Sequence, residues 1–130
     1  MLRIAAAYAA AALVMAVLDL GWLSYAQKAF FEPTVGALLA EKTNIPAAVA
    51  FYVLYVAAIV LFAVARADAW SAALLWGAAF GFFAYMTYDL TNLATLKHWT
   101  FGLAAMDIAW GTFVTAAAAS AGYFASSRIA

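Results

Sequence analysis

The chain has 130 residues, 71% of them apolar and 9% charged, against about 45 to 50% and about 25% in a soluble domain. That balance argues against a water-soluble fold. Six basic and six acidic residues cancel to a net charge of zero, which leaves no cationic surface for a nucleic-acid backbone. With no cysteine and a single histidine, disulfides, thiolate metal sites, cysteine nucleophiles and multi-histidine sites are also excluded.

A spanning helix needs roughly 20 mostly apolar residues to cross about 30 Å of hydrocarbon. Four stretches qualify: 4–26, 47–65, 70–96 and 101–124. They predict an all-α fold, an integral membrane four-helix bundle running up-down-up-down in one domain over residues 1–130. The alanine-rich start after Arg3 also resembles a signal peptide, but the apolar run continues past Ala12 to Ala26, so it is read as the first span. Between the first two spans, Phe30, Phe31, Val35, Leu38 and Leu39 sit among polar residues and predict a short amphipathic helix on the membrane surface. Arg66-Ala67-Asp68 and Lys97-His98-Trp99 read as tight turns. Gly77 with Gly81, and Gly111 with Thr115 and Ala119, mark close helix contacts, within the chain or at a homodimer face. Trp70 and Trp99 fall at span ends, where belt residues sit. The basic residues of the loops tie, with Arg3, Arg66 and Arg128 on the side of the termini and Lys28, Lys42 and Lys97 opposite. The positive amino terminus and the acidic first loop favour cytoplasmic termini.

Three acids lie inside spans, where a charge costs at least about 2.5 kcal/mol. Asp19 is about eight residues from Gln27, Asp89 about eight from Lys97 and Asp107 about six from Phe101; at about 1.5 Å per residue they share one depth. Helical spacing places Asp89 and Asn92 on the face of Tyr85 and Gly81. Asp19 is followed three residues later by Trp22, and Asp107 by Trp110. Each tryptophan offers an indole N–H to a carboxylate on its own or a neighbouring helix. Three carboxylates ionised together at close range repel strongly, so a shared proton is the simplest arrangement. The competing reading is hydrogen-bonded packing with no ligand. Lys97 and His98 stand at the rim of the layer, the lysine as an interfacial anchor and the histidine as a turn residue. A metal site of Asp19, Asp89, Asp107 and His98 lacks a spaced ligand motif, so no metal is expected, and no cofactor motif is present.

The run Tyr88-Asp89-Leu90-Thr91-Asn92-Leu93-Ala94-Thr95-Leu96, followed by Trp99, Asp107, Trp110 and Gly111, resembles the bacterial membrane family catalogued as domain of unknown function 2177. Asp19 with Trp22 and the stretch from Phe51-Tyr52 to Tyr55 fit the same pattern. The resemblance implies a four-span bacterial inner-membrane protein and brings no established activity. From the residues, the expected function is binding or translocation of a proton, cation or small amphiphile at Asp19, Trp22, Tyr85, Asp89, Asn92, Asp107 and Trp110. A membrane-lipid-modifying enzyme or its subunit, with two aspartates as base and acid, is the alternative; an accessory subunit of a larger membrane complex is the third. Membrane lipid is the expected partner. A homo-oligomer or larger complex stays open, because four spans per chain are few for a transporter.

Overall fold

The computed structural model describes residues 1–129, and these are helical apart from the connections. The first helix, Leu2–Ala26, does not stop at the expected boundary. It passes through a π turn at Gln27–Phe31 into the helical turn Glu32–Val35 and a 3-10 turn at Gly36–Leu38. The separate amphipathic helix expected between spans is therefore an extension of the first helix, because no residue from Gln27 to Glu32 leaves the right-handed helical region at its ends. Val35 is buried against Trp99, Leu103 and Ala104, which folds this extension over one end of the bundle.

The second helix, Ile45–Ile59, starts where Asn44 accepts a hydrogen bond from the Ala47 N–H at 3.1 Å, with Pro46 in the first turn. It ends in a π turn at Val60–Val64. The third helix, Trp70–Thr95, leads through a turn with His98 at φ 70° to the fourth, Phe101–Ser127, capped by Thr100 accepting from the Leu103 N–H at 3.0 Å. Both short connections thus fall where the sequence places tight turns.

Three helical stretches are long and apolar enough to cross a membrane: Leu2–Leu38, Ile45–Val64 and Phe101–Ser127. The third helix, expected as a span on the same grounds, is not among them. Its glycines, tryptophans and tyrosines, together with Thr87, Asp89, Thr91, Asn92 and Thr95, dilute its hydropathy.

Small residues lie inside and large ones outside. Ala7, Ala11, Ala63, Ala73, Ala118 and Ala119 are almost inaccessible, whereas Leu13, Leu20, Leu54, Leu61, Leu75 and Phe101 are all at least 60% exposed. So much exposed apolar surface suits contact with lipid, where packing depends on close backbone approach. The third and fourth helices approach most closely and run antiparallel. A Cβ on Gly77 would come within 2.6 Å of the Ala119 Cβ, and one on Gly81 within 2.7 Å of the Thr115 Cβ. One on Gly111 would overlap the Tyr85 ring. The glycine stripe is therefore used within the chain. On the exposed side of the third helix, Thr87, Thr91 and Thr95 donate to carbonyls four residues back at 2.7, 2.5 and 2.8 Å, so none of these three hydroxyls is left unpaired.

Trp99 differs from the expectation of a belt residue. It is only 9% exposed, in the cluster with Val35 and Leu103, because the extension of the first helix covers it. Trp70 remains half exposed and stacks on Phe124 with ring centroids 6.2 Å apart.

Candidate functional site

Asp19, Asp89 and Asp107 are all buried, on the first, third and fourth helices. Two of them line a cleft of about 500 Å³ at the end of the bundle covered by the extension of the first helix. The cleft lies between the Ile45–Ile59 stretch and the second half of the third helix, which make little backbone contact; of the second helix, the Val60–Val64 turn is the part that packs closely on the third. Long aromatic side chains bridge the gap. Tyr55 meets Phe80 at 5.4 Å and Tyr85 at 6.3 Å between ring centroids. Phe51 and Tyr88, each about half exposed, mark the outer edge.

Asp19 is held from two directions. Its Oδ2 accepts from the Tyr52 hydroxyl at 2.5 Å and its Oδ1 from the Trp110 indole N–H at 2.9 Å. The tryptophan one turn after Asp107 thus serves an acid on a neighbouring helix. Trp22 plays a different part. It stacks on Trp110 with centroids 4.8 Å apart and planes 9° from parallel, and its buried indole N–H has no hydrogen-bond partner. The stacking fixes the Trp110 ring and so the direction of its N–H.

Asp107 shares the cleft with Asp19. Asp89 is completely buried behind it, facing the fourth helix along the line of Gly77, Gly81 and Tyr85. Neither Asp89 oxygen accepts a hydrogen bond, and the buried indole N–H of Trp99 has no acceptor. An unpartnered buried carboxyl costs free energy that polar packing alone does not return. By that measure Asp19 is fully engaged, whereas Asp89 has Asp107 and Trp99 beside it without a formed hydrogen bond to either.

The other expected positions divide. Tyr85 lines the cleft and rests on Gly111, whose missing Cβ makes room for its ring. Asn92 is half buried and outside the lining, and Lys97 and His98 are exposed on the turn, also outside it. Among the described residues no three His, Asp or Glu side chains converge as a metal-binding set, so the four residues weighed above for a metal do not form one.

Sequence reasoning missed Tyr52 and Tyr55 as site residues. Tyr55 pairs its hydroxyl with that of Thr115 at 2.8 Å on the cleft wall. Part of the signal was available: Tyr52 and Tyr55 are one helical turn apart, and from the observed helix start at Ile45, two residues before the expected one, Tyr52 lies seven residues in, which at about 1.5 Å per residue matches the depth of the acids.

Searches of curated proteins and of solved structures gave no match. Residues 4–124 match the family model described as a predicted membrane protein, DUF2177. Nearly the whole chain is matched, including every acid and aromatic residue of the cleft, and the protein therefore belongs to this family of membrane proteins, domain of unknown function 2177.

Proposed function

We propose that this protein binds a small amphiphile, which enters sideways from the membrane between the second and third helices and rests its polar head near Asp19 and Asp107. The observation that carries the reading is the cleft of about 500 Å³ with two carboxyls and eight aromatic side chains in its lining. Its size lies within the range of about 300 to 1,000 Å³ usual for small-molecule sites. Polar packing would close such a layer and pair every group in it.

In this reading the third helix crosses the membrane with the other three, up-down-up-down. Its length of 26 residues is sufficient, it packs along the fourth helix, and its exposed threonines are satisfied internally. The membrane is the bacterial inner membrane, with the termini on the cytoplasmic side and the acid layer toward the opposite face. Membrane lipid is both the surroundings and the source of the ligand.

Native mass spectrometry of protein released from membranes in a mild detergent tests the proposal. One retained amphiphile per chain is expected for the wild type, and a large loss of it in the Asp19→Asn/Asp107→Asn double variant. Wild-type protein without any adduct would overturn the reading.

One observation favours a second reading, a lipid-modifying enzyme. The Tyr52 phenol and the Asp19 carboxyl share a 2.5 Å hydrogen bond in the wall of the same cleft, and such a pair can exchange a proton with a bound head group. A changed mass of the retained amphiphile after incubation, abolished by Tyr52→Phe, would support it.

A further inference from the structure

On the reading of the cleft as an amphiphile site, we infer that its ligand carries a cationic alkylammonium head, a primary amine or a quaternary ammonium, and not a neutral or anionic one. The lining brings two carboxyls and no basic side chain into one cleft, and all six lysines and arginines of the chain lie elsewhere. An anionic head would meet Asp19 and Asp107 with no counter-charge in the cleft; a cationic head balances the one negative charge that remains when the two acids share a proton. Asp19 is already oriented by Tyr52 and Trp110, one donor on each oxygen, and each carboxylate oxygen keeps capacity for a further donor.

The rings say what kind of cation. A hard metal ion takes about six or more oxygen ligands, whereas the cleft offers two carboxyls at its floor and aromatic walls, and no metal-binding set converges among the described residues. Tyr52, Tyr55, Tyr85 and the stacked pair of Trp22 and Trp110 surround the acids instead. Aromatic faces attract organic cations within about 6 Å of the ring centre, and walls of this kind are how quaternary ammonium groups are recognised. Leu23, Phe31, Leu39, Phe51 and Ala84 add an apolar stretch to the lining, beside Gln27 and Tyr88, and suit an alkyl chain. The space is far larger than a bare ion needs.

Isothermal titration of the purified full chain in a neutral maltoside detergent tests this with hexyltrimethylammonium, hexylammonium, hexanol, hexanoate and tetramethylammonium as probes. Either hexyl cation should bind at least about tenfold more tightly than hexanol, a margin within reach of one desolvated cation–aromatic contact plus a charge pair. Hexanoate should bind most weakly. Tetramethylammonium, which lacks a tail, should bind more weakly than hexyltrimethylammonium; equal affinity would overturn the amphiphile in favour of a free amine. In the Asp19→Asn/Asp107→Asn variant the preference for cations should fall below about twofold. A preference that survives the variant unchanged, or hexanol binding as tightly as the cations in the wild type, would overturn the inference. In the hexanol case a retained adduct in the native spectrum would leave the amphiphile site itself standing. Failure of every probe together with an adduct-free spectrum would remove both. The wild-type comparison needs no variant to fold.

Discussion

Around Gly122 the first, second and fourth helices close to near contact: a Cβ there would lie 3.0 Å from the Ala7 carbonyl and 3.2 Å from Val64. Around Asp19, about three turns further along the first helix, the second helix stands away from the third and aromatic rings take the place of alanine. One end of the bundle is held by the absence of side chains. The other is held open by large ones, with polar groups turned inward. Lipid gives no reward for burying leucine, so a tight end needs only alanine and glycine, and an open end needs a specific reason to exist. The change falls at the Val60–Val64 π turn, past which the second helix no longer packs closely on the third, and such turns recur at functional sites.

The contrast can be broken most severely from the tight side. Gly81→Leu should cost about 3 kcal/mol or more, because its side chain must enter space held by the Thr115 side chain and the Gly111 backbone. Loss of the monodisperse species on size-exclusion chromatography would report it. Gly21→Ala and Gly102→Ala, with nothing within 4 Å of the added Cβ, should stay within about 0.5 kcal/mol of wild type.

Next in size is Asp19→Ala. It strands the Tyr52 hydroxyl and the Trp110 N–H and should destabilise by about 1 to 3 kcal/mol in thermal denaturation. Asp19→Asn keeps an acceptor and should cost about 0.6 kcal/mol, while ligand retention falls.

Asp89 should behave in the opposite sense. Both its oxygens are buried without donors, so Asp89→Leu should leave the melting temperature unchanged or raise it, as when a functional group is kept at a cost in stability. A melting temperature lowered as far as in Asp19→Ala would show that Asp89 is packing after all. Tyr55→Phe, which removes one buried hydroxyl pair with Thr115, should cost about 1 kcal/mol.

The two ends were unequally legible in the sequence. The glycine stripe and the depth of the three acids follow from helical arithmetic, since a period of about 3.6 residues fixes both face and height. Arithmetic along single helices cannot show which helix a side chain reaches across to. Trp22 and Trp110 have the same spacing from an acid, yet only Trp110 donates to Asp19, and Trp22 spends its ring on stacking. Trp99 looked like a belt residue because its cover, the turn around Val35, comes from more than sixty residues away. Tyr52 was not legible because a phenol at that depth carries no charge to mark it. The Gln27–Phe31 π turn leaves no mark in composition, and it carries the first helix into a segment whose polarity reads as a loop.

A cryo-electron microscopy map of the protein in lipid nanodiscs, made large enough by a bound antibody fragment, tests most directly whether the open end holds a ligand. The prediction is elongated density between Tyr52 and Tyr85, with its head within about 4 Å of the Asp19 and Asp107 carboxyls, the reach of an ion pair. A cleft closed by Tyr52 and Tyr85 meeting over the acids, with no density between them, would contradict it.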